Sequence, residues 1–271
     1  MAGGRQIRLC DEGEPAPARC ALLEAEFPFI DETVRLRAAV PDSRATLADV
    51  VPLAREICDR LTSSVVRQVE ARGRTISCAK GCGVCCTNYL VPMTVPEALR
   101  LWEEIRRLPA AEFRRLAEAF DGAARRLAES GLEEAYARLD PADPASMAAQ
   151  RELAGKWWSE NRFPCPMLRD GACSLYVSRP MPCREFLVVS PPEQCRTNTE
   201  TRVRRPVALH AVLAAWAAEM EAARPTLVLL CNLLPWCEGH RARARRSWPG
   251  RPMVRRLLEI LTETAERAAA P

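Results

Sequence analysis

The chain has 271 residues, of which 48% are apolar and 27% are charged, as is ordinary for a folded globular protein and not for a disordered one. Its 39 basic and 35 acidic residues leave a formal net charge of +4 at pH 7, too close to balance to indicate a polyanionic partner. We therefore expect no binding to nucleic acid. If the chain has a macromolecular partner, the expected kind is a protein substrate or another protein.

The first residues and the apolar runs of the sequence indicate in which cellular compartment the chain is expected. Residues 1–5 lead into polar sequence without the apolar core of a signal peptide. The longest apolar run, residues 227–234, contains Asn232 and is shorter than the roughly 20 residues that a membrane-spanning helix needs. We expect a cytoplasmic protein without a membrane partner. In that reducing compartment, thirteen cysteines are better explained by metal thiolates and buried free thiols than by disulfides.

Residues 1–45 are rich in proline and charge, and we interpret them as an N-terminal extension. Within them, residues 34–40 alternate in polarity, which predicts a strand at the edge of a sheet. Cys10 and Cys20 have no neighbouring cysteine at ligand spacing, so both are expected to be isolated thiols.

Apolar periodicity predicts helices over much of the remaining chain, and the expected fold is mainly α, a compact helical domain around an irregular, loop-rich metal site. The predicted helices cover about residues 46–72, 94–108, 111–131, 146–158 and 206–225, with a last one through 254–261. Thr94 and Glu97 form a capping box at the start of the second helix. Cys58 lies near the apolar face of the first helix and His210 on that of the fifth, so a buried thiol and a structural imidazole are expected.

A further group of potential ligands, Cys231, Cys237 and His240, precedes the last helix. The two thiols are not at the spacing of a zinc knuckle, so buried cysteines are favoured and an auxiliary ligand role is the alternative. The arginines of residues 241–256 are interpreted as a solvated helix face, with contact to an acidic protein or nucleic acid as the less favoured alternative. We assign residues 46–240 to a cysteine-cluster metal-binding domain and residues 241–271 to a basic C-terminal segment and helix.

Eight of the thirteen cysteines lie in two blocks. The first block is the nonapeptide Cys-Ala-Lys-Gly-Cys-Gly-Val-Cys-Cys at residues 78–86, and the second extends from residue 165 to residue 195. The predicted metal ligands are Cys78, Cys82, Cys85, Cys86, Cys165, Cys173, Cys183 and Cys195. A packed core has no need for so many thiols in one short segment, whereas soft metal ions prefer thiolates. We expect both blocks to bind one shared centre.

The surrounding residues suit an anionic metal–thiolate centre. Gly81 and Gly83 let the backbone approach closely and leave amide groups free to face sulfur. Cationic side chains that would stabilise the thiolates are Lys80, Arg169, Arg179, Arg184 and Arg196.

Spacing favours an iron–sulfur cluster, with 4Fe-4S as the preferred form, over zinc. A zinc ribbon has two C-x-x-C knuckles, whereas only Cys82 and Cys85 have that spacing here. Cys78, Cys82 and Cys85 also match the C-x3-C-x2-C spacing of radical S-adenosylmethionine enzymes. The chain lacks the strand–helix alternation that such a barrel requires, and Val84 replaces the usual aromatic residue, so radical chemistry is disfavoured.

These motifs resemble the YkgJ-type cysteine-cluster family. The resemblance covers about residues 75–200 and includes the nonapeptide, Pro-Glu-Ala at 96–98, Gly-Ala-Cys-Ser-Leu-Tyr at 171–176 and Arg-Pro-Met-Pro-Cys-Arg at 179–184. It implies a zinc- or iron-chelating domain built on the eight cysteines. The family includes flagellin lysine N-methylases, which implies S-adenosylmethionine as a second candidate cofactor.

The sequence leaves three functions open. The favoured one is a metal-binding protein, iron–sulfur by preference, with a structural, redox or accessory role. The alternatives are a protein-lysine N-methyltransferase that uses S-adenosylmethionine and a zinc-binding structural module. No G-x-G-x-x-G motif follows a strand, and neither histidine is tied by spacing to a cysteine. No catalytic residue is therefore assigned, and the question of whether the chain is an enzyme stays open.

Overall fold

Helices dominate the part of the chain that the structure, a computed structural model, describes: residues 7–87, 90–132, 134, 149, 152, 164–197 and 199–270. The helices are α1 (Val51–Ala71), α2 (Val95–Arg106), α3 (Ala110–Glu129), α4 (Met181–Glu185), α5 (Leu209–Glu221), α6 (Leu233–Gly239), α7 (Arg241–Ala244) and α8 (Gly250–Ala269). The expectation of a mainly α protein is confirmed. The helix predicted over residues 146–158 lies outside the described residues.

A three-stranded antiparallel sheet precedes the helices. It consists of β1 (Arg8–Leu9), β2 (Cys20–Phe29) and β3 (Glu32–Pro41) in the order β1-β3-β2. The prediction that residues 34–40 form an edge strand is wrong, because β3 pairs with β2 on one side and with β1 on the other. Its polar and apolar alternation identifies one buried face but carries no information on how many strands flank it.

Three short strand pairs join segments outside that sheet. The pairs are β4 (Arg44–Ala45) with β9 (Trp248–Pro249), β5 (Pro92–Thr94) with β8 (Leu227–Leu229), and β6 (Leu168–Arg169) with β7 (Ala172–Cys173). The first two pairs join residues more than a hundred positions apart, so the N- and C-terminal halves share one core.

Local signals set the helix boundaries. Thr94 and Glu97 form the predicted capping box, in which the Thr94 side chain accepts from the Glu97 amide and the Glu97 carboxylate accepts from the Thr94 amide at 3.0 Å. Thr46 and Asp49 make the same reciprocal bonds at the 3-10 turn before α1. Gly73, with a φ of 70°, follows the end of α1 as predicted.

The core is continuous across both predicted domain boundaries. Buried side chains of β2 and β3 pack in the same cluster as those of α1, α2, α5 and α8. The indole Nε1 of Trp216 on α5 donates to the carbonyl oxygen of Met253 on α8 at 2.9 Å. The division at residues 45 and 240 stays a prediction, since a shared core does not show where a boundary lies.

Among the described residues, no helix combines the length and the apolar character that crossing a bilayer would require.

Candidate metal centre

The first cysteine block forms an irregular loop between α1 and β5. Tight turns fold it back on itself, since the amide of Cys82 donates to the carbonyl of Ala79 at 3.0 Å and that of Cys86 donates to Gly83 at 3.0 Å. Gly81 has a φ of 97°, which favours glycine at this position. The block ends in a 3-10 turn, Cys85–Thr87, and its four thiols are all partly exposed.

The second block distributes its cysteines over three small elements. Cys165 precedes the β6–β7 hairpin, and Cys173 lies on β7. Cys183 lies on α4, which begins at Met181 between Pro180 and Pro182, and Cys195 lies on the 3-10 helix Pro192–Arg196. The prolines and short turns explain why this segment has no long helix.

Main-chain contacts join the two blocks at three points. The amide of Cys165 donates to the carbonyl of Cys86 at 2.7 Å, and the amide of Ser77 donates to the carbonyl of Val188 at 2.9 Å. Gly83 packs so closely on Gly171, in the β6–β7 turn, that an added Cβ would overlap the Gly171 carbonyl. The Cys78 Sγ also lies 3.6 Å from the carbonyl oxygen of Phe186.

Cys85 is the thiol to which both blocks are electrostatically coupled. Burial is the largest cause that raises the pKa of Cys78, and the Cys85 charge adds to it. The same two causes act on the pKa of every predicted ligand of the second block, namely Cys165, Cys173, Cys183 and Cys195. Cys82 is coupled to Cys78 and Cys195, and Cys86 shares a hydrogen bond with Cys85. Each of the eight predicted ligands is thus coupled to at least one other, and Cys85 is coupled to ligands of both blocks.

Burial and these couplings favour the protonated forms of Cys78 and Cys85 and of the four predicted ligands of the second block. Burial, with neighbouring thiols adding to it, raises the pKa of Cys165 to about 12, and burial with the Glu200 carboxylate raises that of Cys195 to about 11. The hydrogen bond with Cys86 and burial raise the pKa of Cys85. A bound metal must therefore displace protons, as thiolate ligation always requires.

Arg179 supplies the cation that an anionic centre needs. Burial raises the pKa of Cys78 and Cys173, and the hydrogen bond with Cys86 raises that of Cys85. The positive charge of Arg179 acts in the opposite direction and lowers the pKa of all three thiols, by less. The guanidinium lies over the Tyr176 ring at 3.9 Å from its centroid. Its Nε is buried and has no hydrogen-bond partner among the described residues.

The other predicted cations are placed differently. Arg184 is buried and pairs with Asp59 on α1 at 2.7 Å, and Arg169 pairs with Glu112 on α3 at 3.2 Å. The Lys80 Nζ lies 6.0 Å from the Tyr176 ring centroid, on the side of the cluster near Arg179. Arg196 directly follows Cys195 in the same 3-10 helix.

The thiols are neighbours without forming a coordination sphere. Within the described ranges, no three or more histidine, cysteine, aspartate or glutamate side chains are arranged to coordinate one metal ion. Two features nevertheless fit a metal–thiolate centre: the donors are soft thiols drawn from both blocks, and the orphaned Arg179 Nε is a buried donor that an anionic centre would satisfy.

Cys58, Cys237 and His240 have structural surroundings, whereas Cys231 is coupled to the cluster. Cys58 is buried in α1 and Cys237 in α6, and the Cys237 Sγ contacts the carbonyl of Ala98 at 3.6 Å. His240 stacks on Trp236 with ring centroids 4.3 Å apart. Cys231 differs, because its charge adds to the effects of burial, Cys173 and Cys85 that raise the pKa of Cys165.

Sequence reasoning missed two carboxylates beside the cluster. Glu97 belongs to the predicted capping box, but its second oxygen accepts from the amide of Met181 at 2.5 Å, at the start of the helix that carries Cys183. Glu200 has a side chain that is only 1% exposed and raises the pKa of Cys195 after burial. No spacing rule links either residue to the cysteines.

No protein-family model, curated protein or solved structure matches the chain.

Proposed function

We propose that the chain is a metal-binding cysteine-cluster protein in which the eight cysteines of the two blocks hold one iron–sulfur centre. The observation that carries the proposal is the main-chain contact between the two blocks, in which the amide of Cys165 donates to the carbonyl of Cys86 at 2.7 Å. The electrostatic coupling of Cys85 to Cys78 and to Cys165 supports it. The resemblance of the same residues to the YkgJ-type family agrees with it.

Packing of a hydrophobic core without metal does not explain why eight cysteines lie in these two blocks. Free cysteine is usually a small buried hydrophobe, as Cys58 and Cys237 are. The eight thiols instead lie in loops, short turns, one two-residue strand and one short helix, and seven of them are only partly buried. Soft metal ions bind such thiol-rich, loop-supported sites.

A comparison of the free energy of loop closure with that of metal binding favours a structural role for the metal. Residues 87–164 separate the blocks, and closing a flexible loop of that length costs on the order of 4 kcal/mol. Structural zinc in small thiolate peptides contributes on the order of 10–16 kcal/mol. Metal ligation is therefore strong enough to hold the blocks together. When bound, an iron–sulfur centre would also supply one-electron redox chemistry.

The chain's own residues would tune such a centre. Arg179 would offset its negative charge and offer a buried N–H donor, and hydrogen bonds and charges near sulfur are known to shift cluster potentials. Glu97 would hold Cys183 in place through the amide of Met181.

The testing experiment is purification without oxygen, followed by iron, zinc and acid-labile sulfide analysis and an absorption spectrum. We expect a coloured protein with iron and sulfide in equal amounts. A colourless protein replete with zinc would replace the iron–sulfur assignment by a zinc module. A protein that holds neither metal, even after reconstitution with iron and sulfide, would overturn the proposal.

A further inference from the structure

Glu200 has a buried carboxylate oxygen that nothing in the described chain satisfies. Its side chain is 1% exposed. The Oε1 atom accepts from Arg202 at 2.6 Å, whereas the Oε2 atom is buried without a hydrogen-bond partner among the described residues. Such an oxygen is costly in a protein interior and indicates a ligand, water or ion at that point.

The backbone holds Glu200 on the side of the cluster where both blocks meet. Residues 201–203 run antiparallel to residues 187–189, with the amide of Val189 donating to Thr201 at 3.0 Å and that of Val203 donating to Leu187 at 2.8 Å. Val188 in turn accepts from Ser77, which directly precedes Cys78.

Side-chain contacts also connect Glu200 to the region around Cys78. The Arg202 guanidinium, which pairs with Glu200, lies 4.7 Å from the centroid of the Phe186 ring, and the Phe186 carbonyl contacts the Cys78 Sγ at 3.6 Å. From the other direction, Cys195 lies five residues before Glu200 and is coupled to its charge. Glu200 is thus beside Cys195 of the second block, and Cys195 is in turn coupled to Cys78, Cys82 and Cys85 of the first block.

We infer that Glu200 supplies a carboxylate oxygen ligand, through Oε2, to the metal centre next to Cys195. The inference rests on the proposed function. Carboxylate oxygen is an ordinary ligand of both zinc and iron, and a metal ion would satisfy the atom that Arg202 leaves unpaired. The centre is then of mixed sulfur and oxygen ligation rather than sulfur alone.

The test is anaerobic titration of metal-free protein with Co²⁺, whose absorption bands report the ligand types. We expect E200Q to shift the d–d bands of the Co²⁺ complex and to weaken Co²⁺ binding by about 10- to 100-fold, as loss of a metal-site partner does elsewhere. The matched control is E193Q, because Glu193 is an exposed carboxylate in the 3-10 helix that carries Cys195. E193Q should reproduce the wild-type titration.

A second variant separates ligation from ion pairing. R202Q removes the partner of Oε1 but keeps the carboxylate, so the Co²⁺ bands should stay at their wild-type positions. X-ray absorption of the Co²⁺-loaded wild-type protein gives a readout that needs no variant, and an oxygen scatterer in the first shell is expected.

Two results would overturn the inference while leaving the proposed function intact: a first shell of sulfur alone, or an E200Q titration identical to that of the wild type. If the wild-type protein binds no Co²⁺, iron or zinc at all, the proposed function fails and this inference fails with it.

Discussion

Gly83 is the residue at which the first cysteine block meets the second most closely. A Cβ at this position would overlap the carbonyl oxygen of Gly171 and lie 2.8 Å from the Leu168 Cδ1. Two of the three nearest atoms belong to backbone, which has little freedom to move. The close approach, and not a special φ, therefore requires glycine here.

Gly83→Ala should lower the free energy of unfolding by about 1–3 kcal/mol, because it forces the two blocks apart. The measurement is a urea denaturation midpoint. The matched control is Gly122→Ala in α3, where an added Cβ meets nothing within 4 Å. That variant should be neutral or more stable by up to about 1 kcal/mol, since alanine favours a helix over glycine. Equal effects of the two substitutions would contradict the contact.

Helix α4 is the element that carries Cys183, and a buried carboxylate lies at each of its ends. At the start, Glu97 of α2 accepts from the amide of Met181. At the end, Glu185 accepts from the amide of Leu209 at 2.6 Å and contacts the His210 Nδ1 at 2.6 Å. A helix of five residues has little stability alone, so these bonds fix its position.

Glu97→Ala should lower the free energy of unfolding by about 1–3 kcal/mol, because it leaves buried amides of Thr94 and Met181 without an acceptor. Glu118→Ala, at an exposed position of α3, is the control and should change stability by less than about 0.5 kcal/mol. Denaturation of both variants in the same buffer checks the difference. A Glu97 variant as stable as the control would show that α4 is positioned by other contacts.

The pair of Glu185 and His210 should make stability depend on pH. Burial lowers the pKa of His210, but the hydrogen bond and charge of Glu185, with that of Glu97, outweigh burial and the nearby Arg205 and raise it above the ordinary value. A raised pKa means that the protonated form is stabilised by folding. The stabilisation is complete below about pH 6.5, the unfolded value, and is lost as pH rises through the folded value.

The wild type should therefore exceed His210→Gln in stability below about pH 6.5, by up to about 1 kcal/mol because the His210 side chain is 36% exposed, and this advantage should shrink above that pH. Denaturant midpoints of both proteins from pH 5.5 to pH 8.5 measure it. An advantage that grows with pH would mean that the imidazole is neutral in the folded protein.

At the scale of the whole molecule, the proposed shared centre would link the stability of distant parts of the chain. Removing metal with a chelator under anaerobic conditions should lower Tm by ten degrees or more, because the two cysteine blocks then lose the ligation that they are proposed to share. Limited proteolysis should show new cleavage in both cysteine blocks together. If Tm is unchanged after complete metal removal, the metal has no part in holding the fold.

The sequence was sufficient for the parts of the fold that local rules govern. Caps at Thr94 and Thr46, the stop at Gly73 and the periodicity of α1, α3 and α8 predict their helices, because these signals act within a few residues. The sequence was insufficient to predict which strands pair with each other. The central place of β3 and the pairing of β5 with β8 depend on which distant segments complete the core, which periodicity does not encode.

The same division applies to the candidate site. Cysteine spacing was enough to nominate eight thiols, since ligands cluster along the chain. The sequence also nominated Arg179 as one of five cations, but its buried Nε without a partner among the described residues is seen only in the folded chain. The roles of Glu97 and Glu200 likewise come from burial and from atoms that have or lack partners.

The central claim is that both cysteine blocks bind one centre. Metal content per chain, measured on anaerobically purified Cys85→Ser, Cys165→Ser and the control Cys20→Ser, tests it most directly. One shared centre predicts that Cys85→Ser and Cys165→Ser each lose most of the bound metal, while Cys20→Ser keeps the wild-type amount. A Cys165→Ser protein that retains the full wild-type metal content would contradict the account.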